Sequence, residues 1–431
     1  MKKKYVRWTL WTIASPFILF IILCILIYLP PIQNFLVDKA AVYASEATGM
    51  NISVGRISLS FPLNLVVTNV DAASPHNDTL LSVRRLQVNV QLLPLLKKQV
   101  EVDGISLQGA TVNSNDLIHG MKLNGTLGEL FISSHGVALD PETAIVNKVL
   151  LKDTDLSLCL NDTAAADTAA SDTTYWKIIL QDIDLQNVSF ALDMPLDSLS
   201  LAASLDNAIL RDGLIDLHKS AYSLQTFRIK NGRVRYDSGK PLAADSLPSG
   251  LDPSHIALTD IGVKLDSLYY GGRNMKAIIS QFVLKERSGV EIVSATGRIV
   301  SNDKVLRVPS LKLETRDSYL ELNAAMDWNA LDFKDEGLVS ARLMADIGKP
   351  DVVRFMGSMD EKFIRQYPSE PLRIRTGIDG DLNKLKLTTL TAELPGALGL
   401  FARGELTHLT DSLLRGGDIT LEAETKDLKF V

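Results

Sequence analysis

Cysteine and histidine, the usual protein ligands of structural metals, are scarce in this chain. The two cysteines, Cys24 and Cys159, provide neither a disulfide framework nor a cysteine metal site. None of the six histidines stands at a zinc-ligand spacing from another histidine, a cysteine or a carboxylate on one helix. We therefore predict no metal, no cofactor and no dependence of the fold on disulfide bonds.

Catalytic motifs are also absent: the sequence has no G-x-S-x-G elbow, no P-loop and no G-x-G-x-x-G. Asp153 and Asp155 form one carboxylate pair, and Asp182 and Asp184 another, but both fall at outward-facing positions of predicted strands. The segment 379–381 (DGD) lacks the later ligands of a calcium loop and is predicted to be a β-turn. The net charge of −6 gives no reason to expect nucleic-acid binding. We predict that the protein is not an enzyme.

One long apolar run is present, at residues 10–29, and it has about the length that a helix needs to cross a bilayer. Residues 1–9 are basic, so we predict a cytoplasmic tail, a transmembrane anchor at 10–29 and a translocated remainder. The alternative is a cleaved signal peptide, whose apolar core is normally shorter. The residues expected to face lipid or the membrane interface are Trp11, Phe17, Leu19, Phe20, Ile22, Leu26 and Tyr28.

Residues 30–49 are predicted to form a second, amphipathic helix. Pro30 and Pro31 suit a first helical turn, and Thr48 and Gly49 supply an end. This helix is expected either to lie on the membrane surface or to plug the first strands. With only one cysteine outside the anchor, the exported part fits a Gram-negative periplasm, and the protein is predicted to be a single-pass inner-membrane protein.

Residues 50–431 are dominated by a repeated apolar pattern, h-x-h-x-x-h-x-h, where h is apolar. Alternation indicates a strand with one apolar face, and a β-bulge at the doubled x would keep that face on one side. We predict a mainly β fold: an elongated, curled, repetitive sheet with few short helices. An ordinary large β-sandwich is the alternative. Copies of the pattern start at Ile52, Val100, Val149, Ile178, Phe227, Ile256, Ala277, Leu306 and Leu385.

The apolar face is a core if the sheet closes, and a long trough if the sheet curls without closing. A trough would hold acyl chains, because each CH₂ moved out of water gains about 0.8 kcal/mol. Sequence alone leaves both possibilities open. The candidate groove residues are Ile52, Val54, Ile57, Leu59, Val100, Val102, Ile105, Leu107, Ile178, Leu180, Ile183, Leu185, Val188 and Phe190.

A soluble helix is predicted over residues 351–367. Asp351 is a suitable N-cap, an apolar stripe follows at helical spacing, and Pro368 ends the helix. We expect this helix to be a lid packed on a sheet, with a gate over a groove as the alternative. The last residues have strand-like character without a capping element, so we expect the β-repeats to continue beyond residue 431.

The first part of the chain resembles the AsmA-like superfamily, and its TamB branch most closely. The resemblance rests on the order anchor, short helix, then TGMNISVGRI (48–57), FPLNL (61–65), DTLLSVRRLQVNV (78–90), PLL (94–96) and VEVDGI (100–105). It is good over residues 1 to about 115 and is limited to the style of the repeats afterwards.

The resemblance implies a tethered periplasmic β-groove that carries phospholipid toward the outer membrane and supports outer-membrane protein assembly. It also implies an outer-membrane barrel partner of the BamA/TamA class, which would be contacted by regions beyond residue 431. No catalytic residue is implied. A scaffold that binds unfolded barrel strands at an open sheet edge, without carrying lipid, is the second hypothesis. An enzyme of the β-helix type is the third, and the clustered outward carboxylates that it needs are not found in the sequence.

Overall fold

The computed structural model describes residues 39, 41–43, 45–46, 48–60, 64–74, 78–91, 102–114, 120–138, 142–161, 175–239, 250–332, 337–356 and 361–426. The predicted anchor at 10–29 lies outside these residues. No helix in the described part of the chain combines the length and the apolar character that crossing a membrane requires. The described positions between 39 and 48 are helical, and Gly49 follows them with φ +69°, so the predicted end of the short helix is confirmed.

The chain folds into two compact units. The first comprises residues 1–139 and 144–164, and the second comprises 140–143 and 165–431. The strands of the first unit are β1 (Asn51–Ser60), β2 (Asn64–Ala73), β3 (Thr79–Val90), β4 (Val102–Asn113), β5 (Met121–Ala138) and β6, which begins at the junction (Thr143–Leu160). Strands β1 to β5 form an antiparallel meander in which each strand pairs with the next. The N–H of Asn161, after β6, donates to the Gly120 carbonyl before β5 at 2.7 Å.

The second unit is also an antiparallel meander. Its strands are β7 (Lys177–Met194), β8 (Leu199–Asp216), β9 (Ala221–Leu224), β10 (Thr226–Ser238), β11 (His255–Gly271), β12 (Asn274–Glu286), β13 (Glu291–Ser301), β14 (Val305–Thr315), β15 (Tyr319–Asp327), β16 (Leu338–Ile347), β17 (Leu372–Asp381), β18 (Lys384–Leu394), β19 (Leu398–Thr407) and β20 (Gly416–Thr425). Strands β9 and β10 follow one another along the same two neighbours, β8 and β11, and are separated only by Gln225. The mainly β prediction is confirmed.

Short helices occur at the ends of the strands in the second unit. They are a 3-10 turn (Pro195–Asp197), α1 (Trp328–Leu331), α2 (Lys349–Met356) and α3 (Glu361–Gln366). The helix predicted over 351–367 is therefore wrong at its start. Helix α2 begins two residues earlier, because Pro350 suits a first turn and the Gly348 carbonyl already accepts the N–H groups of Asp351 and Val352. Asp351 lies inside the first turn and is not the N-cap.

The strand ends of the second unit define two rims. The first rim holds residues 175–176, the turns after β8, β11, β13, β17 and β19, and helix α1. The second rim holds the 3-10 turn, the turns after β12, β14 and β18, and helices α2 and α3. The apolar and polar faces of the sheet extend between these two rims.

Candidate functional site

In the first unit, apolar side chains form rows that run across the strands. Directly opposed residues of an antiparallel pair project to the same face of a sheet. Ile57 faces Val67, which faces Leu86, which faces Leu107, which faces Leu130. Three parallel rows, which start from Ile52, Val54 and Leu59, are built in the same way: Ile52–Ala72–Leu81–Val112–Gly125, Val54–Val70–Val83–Ala110–Leu127 and Leu59–Leu65–Val88–Ile105–Ile132. One face of this unit is therefore continuously apolar.

The second unit has the same construction. The six candidate groove residues of β7 all face apolar residues or glycine on β8: Ile178–Ile215, Leu180–Gly213, Ile183–Leu210, Leu185–Ala208, Val188–Leu205 and Phe190–Ala203. Further along the unit, Leu311 faces Leu322, which faces Leu343, and Leu390 faces Ala402, which faces Leu421. The apolar face continues from β7 to β20.

The candidate groove residues are half-buried rather than buried. Every described candidate retains accessible surface, and Ile105 and Phe190 remain 36% and 38% exposed. Val100 lies outside the described residues. In a sandwich, a second layer would remove most of the surface of such side chains. The open apolar face of the described residues favours the trough over the sandwich core.

The opposite face carries the charged side chains. Asp182 and Asp184 both form ion pairs with Arg211 on β8, the second at 3.2 Å. These carboxylates lie on the polar face, as the alternation predicts, and not at a cleft. The β-turn predicted at 379–381 is wrong, because these are the last three residues of β17 and the turn follows at 382–383. Asp381 accepts the backbone N–H groups of Asn383 and Lys384 in that turn, at 2.8 Å each.

The doubled positions of the repeat take two structural forms. At 280–281, 309–310 and 388–389, two residues stand against one on a neighbouring strand, so the predicted β-bulge is confirmed there. On β1 and β7 the prediction is wrong, because their doubled positions face those of β2 and β8 without a shift in register. We call this line of paired doubled positions the crease.

A left-handed residue stands at the second doubled position on one strand of the crease, and the same conformation also occurs at bulges. The residues found there with positive φ are Asn69, Gly109, Asp153, Asn187, Asp212 and Asn231, and Asp260 has the same conformation at a true bulge. Asn, Asp and Gly are the residues that tolerate this region best. Because one left-handed residue resets the alternation, both sides of the crease keep the same apolar face. The preference for Asn, Asp or Gly at this position is the sequence signal from which the crease could have been predicted.

The left-handed conformation of Asp212, which is exposed and has φ +50°, leads to a testable prediction. We expect Asp212→Val to lower the free energy of unfolding by about 1–2 kcal/mol, because a β-branched residue resists this conformation. Asp212→Gly should stay within about 0.5 kcal/mol of the parent. Urea unfolding followed by circular dichroism measures both. Equal losses for the two variants would show that the side chain matters and the backbone conformation does not.

The helices cover the two ends of the apolar face in β15–β19. At the first rim, Ala330 of α1 is buried with Val339 and Leu382. At the second rim, Tyr367, Leu394 and Ala397 form a buried cluster against which Val352 of α2 and Phe363 of α3 pack. The segment predicted as a helix therefore packs on the sheet, at the margin of the apolar face.

A buried polar network attaches α2 to the turn after β14. Asp351 is 1% exposed and accepts hydrogen bonds from the hydroxyls of Thr315 and Ser318, the second at 2.6 Å. Arg354 pairs with Asp351 at 3.1 Å and with Asp317 at 2.9 Å. Asp351 therefore anchors the helix to the sheet and does not serve as the predicted cap.

Removal of the Asp351 carboxylate should detach α2 from the turn after β14. We expect Asp351→Ala to lower the free energy of unfolding by about 3–5 kcal/mol, because buried partners lose their acceptor. Amide exchange in residues 349–356 should rise with it. Arg365→Ala is the matched control, since its pair with Glu361 is exposed on both sides (77% and 81%) and should contribute under about 0.5 kcal/mol. Unchanged exchange in α2 would contradict the anchoring role.

Local contacts shift the pKa values of several titratable side chains in the described residues. A hydrogen bond with the His255 ring at 2.8 Å lowers the pKa of Asp252, and burial raises the pKa of Tyr367. The hydrogen bond with Asp260 raises the pKa of Lys285. The described residues contain no group of three or more His, Cys, Asp or Glu side chains that could hold a metal ion.

The apolar face is the main candidate for a functional surface. In the second unit it extends between the two rims. The residues along it can bury apolar groups and offer few polar contacts. Comparison with known proteins found no family model that matches the chain and no curated protein that resembles it.

Proposed function

We propose that the chain holds phospholipid acyl chains on its apolar face and passes them from the inner membrane toward the outer membrane. In this proposal the sheet curls into an open trough, because creases and bulges bend the strands toward one side. The single observation that carries the proposal is that the large apolar side chains of the rows, among them Ile52, Ile183 and Phe190, keep accessible surface, while the smaller Ala72, Val83 and Ala208 are buried.

The energetics suit a carrier. An acyl chain that lies along several rows transfers many CH₂ groups out of water at about 0.8 kcal/mol each. No specific polar contact is needed, so a chain can move from one row to the next without breaking hydrogen bonds. The apolar rows cross β1 to β5 in the first unit and β7, β8 and β10 in the second, which gives a lipid successive similar sites.

Photocrosslinking in living cells tests the proposal on the full chain. p-Benzoyl-phenylalanine at Leu210, which faces Ile183 on the apolar face, should capture phospholipid. The same crosslinker at Ala191, which faces Ala202 on the polar face, is the matched control and should capture none. Absence of lipid adducts at Leu210, with expression unchanged, would contradict lipid binding.

A second candidate function follows from β20. All ten of its residues are exposed, among them Ile419 (46%) and Leu421 (61%), and β19 is its one partner strand among the described residues. An exposed strand edge can add a strand from another chain. A scaffold that binds unfolded barrel strands would give protein crosslinks from β20 and no lipid adducts at Leu210, so one set of crosslinking sites separates the two functions.

A further inference from the structure

We propose that the first rim of the second unit docks on the headgroup layer of a phospholipid bilayer. The aromatic rim is defined here as Tyr175, Tyr222, Tyr270, Trp328, Leu413 and Leu414. Tyr222 and Tyr270 extend the row of Ile178 and Ile215, so this surface is the margin of the apolar face at the first rim. The proposal does not depend on lipid occupying the middle of that face.

Exposed aromatic and leucine side chains make this rim unusual. Tyr175 is 51% exposed, Tyr222 is 40% and Tyr270 is 46%, while Leu413 and Leu414 reach 92% and 63%. Tyrosine and tryptophan place an apolar ring beside a polar tip, which is the combination favoured at a membrane interface. Single exposed apolar residues need no explanation, but a series along one rim does.

Contacts between neighbouring turns organise the rim. The rings of Tyr222 and Tyr270 stack at 6.3 Å, and the ring of Tyr175 meets that of His218 edge-on at 5.3 Å. The guanidinium of Arg273 lies 5.5 Å from the centre of the Trp328 ring. The rings are therefore held in place and present one ordered margin.

The rim carries charged side chains of both signs. Each aspartate in the described turns accepts a turn N–H, a side-chain amide N–H or an arginine: Asp216, Asp303, Asp327, Asp332, Asp381 and Asp411. By contrast, Lys219, Lys304 and Arg415 are exposed and have no ion pair among the described residues. The hydrogen-bonded carboxylates keep their charge, so the rim presents both carboxylates and outward cations, a combination that suits the paired charges of a zwitterionic phospholipid headgroup.

The tryptophans of the chain permit a direct test. Of the four, Trp176 and Trp328 lie at the first rim, and the other two are Trp8 and Trp11. The full chain with Trp8→Phe and Trp11→Phe therefore reports fluorescence from the rim alone. In vesicles of phosphatidylcholine brominated near the headgroup, we expect at least a twofold loss of this fluorescence relative to unbrominated vesicles.

Two sets of substitutions, made in that background, distinguish docking through the aromatic rim from docking through the second rim or the trough. Tyr222→Ser, Tyr270→Ser, Leu413→Ser and Leu414→Ser together should abolish most of the quenching. The control, Leu196→Ser, Phe355→Ser and Met356→Ser, removes side chains of similar exposure (63%, 54% and 57%) from the second rim and should leave quenching intact. Added Ile183→Asp, which addresses lipid in the trough, should also leave it intact.

Three results would overturn the proposal: no quenching in the parent, equal loss in both rim variants, or loss only with Ile183→Asp. If quenching is absent and the chain forms crosslinked pairs through Leu413, the occupant of the rim is a second copy and not a bilayer. Because Ile183→Asp affects the trough and the serine variants affect the rim, failure here leaves the lipid-carrying function to its own test.

Discussion

We expect Ile183→Asp to prevent phospholipid from binding to the apolar face without unfolding the protein. Ile183 lies in the middle of the apolar face of β7, opposite Leu210 on β8. A carboxylate there repels acyl chains, since burying it against them would cost several kcal/mol. The protein itself tolerates the charge, because the site is half-buried and water reaches it. We expect the lost burial of isoleucine to cost about 1–2 kcal/mol of stability.

Lipid capture by p-benzoyl-phenylalanine at Leu210 measures this effect, and we expect a fall of at least tenfold. Ala191→Asp is the control, because it adds the same charge to the polar face of the same strand. Thermal unfolding followed by circular dichroism checks the fold of both variants. If Ile183→Asp instead unfolds the second unit, the apolar face is a closed core and the trough is excluded.

We expect Ala341→Trp to block lipid at β16, where the strands are short. Strands β7 and β8 have 18 residues each, or about 60 Å of strand at 3.3 Å per residue, whereas β16 and β17 have 10 residues each, or about 33 Å. Helix α1 covers one end of these short strands and α2 with α3 covers the other. Ala345 is itself buried, so the open rows on β16 are those of Ala341 and Leu343.

Small side chains leave space for an acyl chain at the middle of β16, because Ala341 faces Ala324 on β15. We expect Ala341→Trp to reduce lipid capture by a crosslinker at Leu343 at least tenfold. Ala203→Trp is the control on β8, where the strands are long, and it should reduce capture at Leu201 less than twofold. Equal reductions at both sites would mean that lipid passes no constriction at β16.

The repeat positions show what the alternation of the sequence could predict. Most of their apolar residues face apolar residues or glycine on neighbouring strands, as Ile57 faces Val67 and Leu313 faces Leu320. Exceptions are Leu258, which faces Glu286, and Leu390, which faces Thr376. The reason is local: side chains of a strand alternate between faces, so a pattern of period two fixes which residues share a face. The mainly β class and the polar placement of Asp182 and Asp184 follow from the same rule.

Whether a doubled position forms a bulge or a crease could not be predicted without the neighbouring strand. At 309–310 two residues stand against one residue of the neighbouring strand, whereas Gln181 and Asp212 lie in doubled positions that face one another without an extra residue. The register of the partner strand decides between the two forms. Likewise, Asp351 fits a helix cap in the sequence, yet the structure buries it against Thr315, which lies far away in the chain. Its role depends on tertiary contact and not on local preference.

By itself, the sequence determined the strands, their apolar face and the absence of recognisable catalytic motifs, because these depend on residue type and near neighbours. Only the tertiary structure decided that the apolar rows remain half-buried, that helices cover both ends of β15–β19, and that aromatic residues from separate turns share one rim. Burial and convergence depend on how distant segments approach one another, and alternation carries no information about what, if anything, covers a face.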